Sequence, residues 1–336
     1  MSHLLAGLDI GGSKVLAVAV DITGPDGRAR VVESVRLSTG LGPEGVVDTA
    51  ARALRALAAQ LSGDAEARPD DWFSGVGIGI PGLVDAENGK ITHAVNLGVG
   101  PGGLALADRL GRRLNLPVVV ENDVNAAALG AAAHLRLGRV DMAYLSIGTG
   151  IAAGIVLDGE LRRGPHSAAG EIGHIPVDPT GPLCGCGQRG CLESVASGSA
   201  IAARWTSREG SDLPPGQDLF AAAEAGDPTA TSLRDEVAGY LAAATRLLAL
   251  TVDVDLVVLG GGVAEVGEPL RHAVANALEA QATGSEFLRG LDLSARLSVV
   301  PRDQPVAAIG AALLARTPPG SSIPEPETVL QPDLTA

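Results

Sequence analysis

Aromatic side chains are scarce in this 336-residue chain: two Trp, two Tyr and three Phe, 2% of the total. Its cores must therefore be built from Ala, Val, Leu and Ile, within a composition that is 46% hydrophobic. Positive charge is in deficit. Twenty-five Lys and Arg stand against 39 Asp and Glu, for a net −14, which argues against the clustered basic surface on which nucleic-acid binding rests. No run approaches the roughly 18 apolar residues of a membrane span, and the opening MSHLLAGLDIGGSK lacks the basic start and long apolar core of a secretory leader. A cytoplasmic protein with neither a membrane nor a nucleic-acid partner is expected. Cysteine is nearly absent as well: there are three, all between 184 and 191. An odd, clustered set is a poor disulfide framework and points instead to a metal.

What is abundant is glycine, 45 residues, with 21 prolines and no three-residue period. That excludes collagen and indicates many tight turns and close backbone approaches. The length allows two domains. Residues 4 to 10, 15 to 21 and 31 to 37 predict an antiparallel meander with glycines at its first bend. Residues 44 to 61 carry Val46, Val47, Ala50, Leu54, Leu57 and Leu61 at helical spacing. Strands are predicted at 75–82, 116–123 and 255–265, the last ending in three glycines, and helices at 104–114, 124–137 and 306–316. A long irregular stretch is expected over 159–194, and a polar, Pro-rich disordered tail over 317–336. The meander appears twice. Leu8-Asp9-Ile10-Gly11-Gly12-Ser13 is echoed by Leu145-Ser146-Ile147-Gly148-Thr149-Gly150, and Val20-Asp21 by Leu157-Asp158, all 137 residues apart. A duplicated domain follows, with two glycine turns facing one cleft.

Three constellations carry chemistry. Glycine turns at 11–12, 148–150 and 260–262 each follow an apolar strand, where successive N–H groups can converge on a phosphate. The first is not a Walker A loop, since a strand and not a helix follows it. Glu121-Asn122-Asp123 joins a buried strand to a helix. It suits a helix N-cap and equally a carboxylate at the ligand-binding edge of a sheet that takes a proton from a hydroxyl. Finally, His174 with Cys184, Cys186 and Cys191 is a permitted tetrahedral zinc set, and its four protein ligands would make the ion structural.

Together LDIGGSK, ENDVNAA, SIGTGIAAGIV, GEIGHIPV with CGCGQRGCLES, and VVLGGGV resemble the ROK family of sugar kinases and repressors, over about residues 5 to 316. The resemblance implies an α/β, two-lobed, actin-like ATPase (ribonuclease H-like) duplicated fold with an interlobe cleft. Its small lobe would span 1–121, with the helix at about 306–316 returning to it, and a large lobe with the zinc loop would span 122–305. The implied reaction is transfer of the ATP γ-phosphoryl group to a hexose 6-OH, with Mg2+ and a structural Zn2+. Asp123 would be the general base. Asn122, Glu171, His174 and Glu193 would hold the sugar with it, and His174 would also reach zinc. Asp9, Gly11, Gly12, Ser13 and Lys14 would border the Mg–phosphate region, opposite Gly148, Thr149 and Gly150, with Gly261 and Gly262 against the adenosine.

One departure concerns substrate choice. Many glucokinases of the family carry a Trp shortly after the Asn-Leu pair that here is Asn96-Leu97, whereas this chain continues GVGPGGLAL. Glucose is the first expectation, with N-acetylglucosamine or N-acetylmannosamine the alternative. A non-catalytic sugar sensor or a ROK-type regulator is disfavoured, because Asp123 is retained and no helix-turn-helix precedes Asp9. A homodimer is expected, with a tetramer the alternative.

Overall fold

The computed structural model describes residues 4–23 and 28–316. The segment TGPDGR at 23–28 reads as a turn from its composition; it lies mostly, and the tail 317–336 wholly, outside the described residues. The chain opens with β1 (Leu4–Ile10), β2 (Lys14–Asp21), β3 (Arg30–Ser38), α1 (Gly42–Ser62) and β4 (Phe73–Ile80). Short strands β5 (Leu83–Asp85), β6 (Lys90–Thr92) and β7 (Leu104–Ala105) lead to α2 (Leu106–Leu114), β8 (Val118–Asn122) and α3 (Asp123–Leu135). Then come β9 (Met142–Ile147), β10 (Ile151–Leu157), β11 (Glu160–Arg162), α4 (Leu192–Ala196), α5 (Gly198–Arg204), α6 (Pro215–Glu224) and α7 (Pro228–Val252). The last elements are β12 (Leu256–Gly260), α8 (Glu268–Ala282), α9 (Glu286–Leu291), β13 (Leu297–Val299) and α10 (Val306–Leu314).

Two five-stranded sheets share one topology, β3-β2-β1-β4-β8 and β11-β10-β9-β12-β13. In each, the strand before the glycine turn pairs antiparallel with the strand after it and parallel with the next strand on its other side. The duplication read from the sequence is therefore present, with one correction. Leu8 pairs with Ala17, and Leu145 with Ala153, so the offset is 137 in the first strand of each copy and 136 in the second. The cause is the turn: Ile10 pairs with Val15, but Ile147 pairs with Ile151, one residue sooner. Asp158 consequently lies in a turn at φ 56°, not at a strand end like Asp21.

The amphipathic helix predicted at 44–61 is α1, which buries Val46, Val47, Ala50, Leu54 and Leu57 against the first sheet. Aromatic residues anchor each core once: Phe73 in the first and Phe220 in the second are fully buried. Two expectations are corrected. Residues 104–105 pair as a strand before the helix begins, and the stretch 159–194 contains β11 and the start of α4 rather than loop alone. Among the described residues no helix is long and apolar enough to cross a membrane.

Between the two sheets lie α3 and α10, packed on each other. α10 rests on β1 and β4 and α3 on β10, so the last described helix returns to the first sheet. The approach is backbone to backbone. A Cβ added to Gly310 would fall 1.8 Å from the Ala126 carbonyl oxygen, and one at Gly130 would fall 1.8 Å from that of Val306. At Gly7 and Gly77 it would meet the carbonyls of Ala308 and Ala311 at 1.9 and 1.7 Å. Real Cβ atoms cannot occupy such positions, so either the helix or the sheet must move. Gly310→Val is therefore expected to cost at least the about 1–3 kcal/mol typical of an overpacked core, read as a lower denaturant midpoint.

Candidate active site

The packing of α3 positions the centre of the cleft. Asn122, the last residue of β8, caps the helix: its Oδ1 accepts from the N–H groups of Val124 at 2.9 Å and Asn125 at 3.3 Å. The N-cap reading of this segment thus holds for Asn122, while Asp123 occupies the first helical position beside the cleft. Asp123 Oδ1 accepts from Val124 N–H at 2.9 Å. Asp123 is half-buried. Burial, opposed by the backbone N–H bond and reinforced by the nearby Glu171 charge, pushes its pKa above the usual carboxylate range. Asp9, near the end of β1, is likewise half-buried. Burial and the charge of Asp123 push it up to about 6, with Lys14 pulling the other way.

The turn after β1 is closed by Gly11 N–H donating to Lys14 O at 2.9 Å, and Gly12, Ser13 and Lys14 are exposed at its tip. Gly12 lies against Asn96, whose Cβ would be 3.1 Å from a Cβ added there. Asn96 in turn lines a cavity of about 520 Å3 with Thr149, Gly150, Glu193 and Ser197. The second glycine turn thus borders this space directly, and the first reaches it only through its neighbour Asn96. Glu193 is close to the second turn: its Oε2 accepts from Ile151 N–H at 3.0 Å and would be 2.2 Å from a Cβ at Gly150. The turn at 260–262 abuts the same strand end, where Val263 N–H donates to Ile147 O at 2.9 Å. Gly261 needs its glycine twice, for its φ of 84° and because Ile147 backbone lies 2.7 Å from any Cβ.

At the other end, Asn122 and Glu171 line a narrow cleft of about 20 Å3 with Gly82 and Asn125. Glu171 leads directly into the 310 turn Ile172–His174, so the loop that supplies this carboxylate also supplies the imidazole. The metal-ligating atoms of His174, Cys184, Cys186 and Cys191 all lie within 4.8 Å of one another. Cys184 Sγ is 3.8 Å from His174 Nδ1, and Cys186 Sγ is 3.6 Å from Cys191 Sγ. Bond lengths of about 2.0–2.3 Å to zinc require ligand separations in this range, whereas a disulfide requires about 2.05 Å. The donor set fits zinc. Gln188, through its side-chain and backbone N–H groups, holds the Cys186 thiol down to about 6, while burial pushes Cys191 up to about 12.

Sequence reasoning names Glu121 in the strand-to-helix corner but gives it no partner or role, and it misses Arg163, Asn125 and Tyr144. Glu121 is buried and paired with Arg163 at 2.6 Å, a partner 42 positions away that no spacing rule would find. The Tyr144 phenol fills the space beside Gly260, within 2.0 Å of a Cβ placed there, and its pKa is raised chiefly by burial.

Comparisons with known proteins agree with this geometry. The model of the ROK family matches residues 5–317. A glucokinase of Halalkalibacterium halodurans is 36% identical over 301 residues, 84% of this chain and 88% of that protein. An N-acetylmannosamine kinase of Escherichia coli O157:H7 is 34% identical over 257 residues, 76% of this chain and 82% of that one. The crystal structure of a ROK family glucokinase from Streptomyces griseus, in complex with glucose and AMPPNP, superposes with a TM-score of 0.74 at 32% identity, covering 93% of this chain and 99% of that one. The architecture is thus the two-lobed, actin-like ATPase fold.

Asp9 also yields a stability prediction. A carboxyl whose pKa rises from 3.8 unfolded to about 6 folded costs the fold stability as pH climbs from about 4 to 6, and the cost persists above 6. Asp9→Asn removes that cost. Its unfolding free energy should exceed wild type by up to about 3 kcal/mol at pH 8, and the gain should shrink as pH falls toward 4. Urea denaturation at several pH values measures it; a gain constant across pH would contradict the role given to Asp9.

Proposed function

The chain belongs to the ROK family, and from that premise we propose an ATP-dependent hexose kinase that transfers the γ-phosphoryl group to the sugar 6-OH, with glucose as first substrate. The observation that carries this reading is Asp123, a raised-pKa carboxylate at the N-terminus of α3, next to Asn122, which lines the narrow cleft with Glu171. One of its oxygens, Oδ1, is engaged by Val124 N–H at the start of α3, which leaves Oδ2 as the other oxygen of the carboxylate. Oδ2 would take the proton of the attacking hydroxyl.

Asn122, Glu171, His174 and Glu193 would hold the remaining sugar hydroxyls. Asp9, Gly11, Gly12, Ser13 and Lys14 would border the Mg2+ and phosphates, facing Gly148, Thr149 and Gly150, with Gly261 and Gly262 against the adenosine. With Nδ1 of His174 turned to the cysteines, its Nε2–H would be aimed at the sugar. Zinc, when bound, would supply a fixed imidazole tautomer and orientation rather than Lewis-acid chemistry, since four protein ligands close its shell. We place the lobe boundary at 121/122, where β8 hands over to α3, with α10 returning to the first lobe.

A second reading, an N-acetylhexosamine kinase, is favoured by the segment after Asn96-Leu97, where Gly100 and Gly102 face open space that a Trp does not occupy. A coupled ADP-release screen with MgATP over glucose, mannose, N-acetylglucosamine, N-acetylmannosamine, fructose and allose decides between them. If no sugar is phosphorylated, the kinase reading falls. Asp123→Asn should lower kcat by at least about 100-fold while sugar binding, read by protection against thermal unfolding, persists; full activity would remove Asp123 as the base. Elemental analysis should find about one zinc per chain, lost together with sugar affinity in Cys184→Ser. A metal-free preparation of full activity would refute the zinc loop.

A further inference from the structure

Glu121 lies near the end of β8, two residues before Asp123, and its side chain is only 3% exposed. Both oxygens are engaged. Oε1 accepts from Asn122 N–H at 2.9 Å and from the Asn125 side-chain amide at 3.0 Å, and Oε2 accepts from Arg163 Nε at 2.6 Å. Arg163 immediately follows β11, so this ion pair joins an edge strand of the first sheet to an edge strand of the second. Charge-assisted bonds of this length are the strong kind, and a buried carboxylate requires its cation.

The chain from Arg163 to Glu171 is a closed loop. Ala169 N–H returns to Arg163 O at 3.1 Å, and Ser167 N–H to Gly164 O at 3.2 Å. At its far end Gly170, at φ 89°, is bonded to β10, where Ala153 N–H donates to Gly170 O at 2.7 Å, and a Cβ there would strike Ala153 O at 1.7 Å. The loop is therefore tethered twice: to β10 of its own sheet through Gly170, and to the Asn122–Asp123 corner through Arg163 and Glu121. Next in sequence is Glu171, which faces Asn122 across the narrow cleft.

We propose that Arg163, acting through Glu121, is a positioning residue for the sugar: it sets the separation of Glu171 from Asn122 so that both reach hydroxyls of one hexose ring. The inference rests on the reading of this end of the cleft as the sugar site. Arg163 pairs with Glu121 and not with the glycine turns of the nucleotide side, so its loss should act on sugar affinity and leave ATP alone. It also neutralises Glu121, which otherwise would add a third negative charge beside Asp123 and Glu171.

The test compares the wild-type protein with Arg163→Met, Arg163→Lys and the neutral pair Glu121→Gln/Arg163→Gln. Arg163→Met should raise the sugar KM at least 10-fold with the ATP KM within 2-fold, and Arg163→Lys should recover part of the loss. The neutral pair, which keeps an amide contact without a buried charge, covers the case in which Arg163→Met fails to fold and should also raise the sugar KM selectively. In parallel, the shift in melting temperature produced by sugar should shrink in Arg163→Met or the neutral pair while the shift produced by AMPPNP is kept. A folded variant with an unchanged sugar KM and sugar shift, or with sugar and ATP constants rising together, overturns the proposal. If wild type binds sugar without turnover, the kinase reading fails and the melting shifts still decide the role of Arg163. If wild type binds no hexose, the sugar site and this inference fall together, whereas wild-type turnover with an indifferent Arg163 removes only the inference.

Discussion

The tightest physical constraint in this molecule is the contact of bare backbone between α3, α10 and the first sheet. With 2% aromatic residues, the two halves are not joined by large side chains interlocking. They are joined by two helices laid between the sheets so tightly that Gly7, Gly77, Gly130 and Gly310 admit no Cβ. Apolar area buried per residue is modest in such a layer, but dispersion contacts are dense and the geometry is unforgiving. The proposed chemistry depends on it, because α3 begins with Asp123. Gly79 of β4 extends the same logic to the cleft: a Cβ there would press on Ala126 at 3.1 Å and approach Asp123 Cα at 3.5 Å.

A second theme is the concentration of carboxylates in a chain already short of positive charge. Glu121 and Glu171 line the narrow cleft, Glu193 lines the larger cavity, and the charge of Asp123 acts on Asp9; three different devices accommodate four of these five. Glu121 is saturated by hydrogen bonds and an arginine. Glu193 accepts a backbone N–H beside a glycine turn. Asp9 and Asp123 are instead left with raised pKa values, chiefly by burial. Groups whose ionisation is unfavourable in the free protein are those poised to gain from a cation or a proton brought by a ligand, which fits their proposed roles at the metal–phosphate edge and at the sugar hydroxyl.

Much of this is legible in the sequence because it is written in short spacings. The meander, the amphipathic α1 and the glycine turns are periodic or local patterns, and each needs only its near neighbours to form. The His/Cys cluster is legible because all three cysteines of the chain fall between 184 and 191, an odd number unsuited to paired disulfides and close enough to surround one ion. The repeat is visible too, yet resemblance along the chain puts its second strand one residue out of register, since hairpin length is set by pairing across the turn. The small sheet of β5, β6 and β7 leaves no periodic mark at all; its strands are two or three residues long and exist only because they pair.

By itself the sequence determined the duplicated α/β plan, the glycine turns, the cysteine-rich loop and the Asn122-Asp123 corner, all features whose physics acts over a few neighbouring residues. Tertiary structure alone decided which of these meet. Arg163 finds Glu121 across 42 positions, α10 returns to β1 across nearly the whole chain, and the pKa of Asp9 answers to Asp123 at the head of a distant helix. Electrostatics and close packing depend on distance in space, and only the folded backbone converts separation along the chain into that distance.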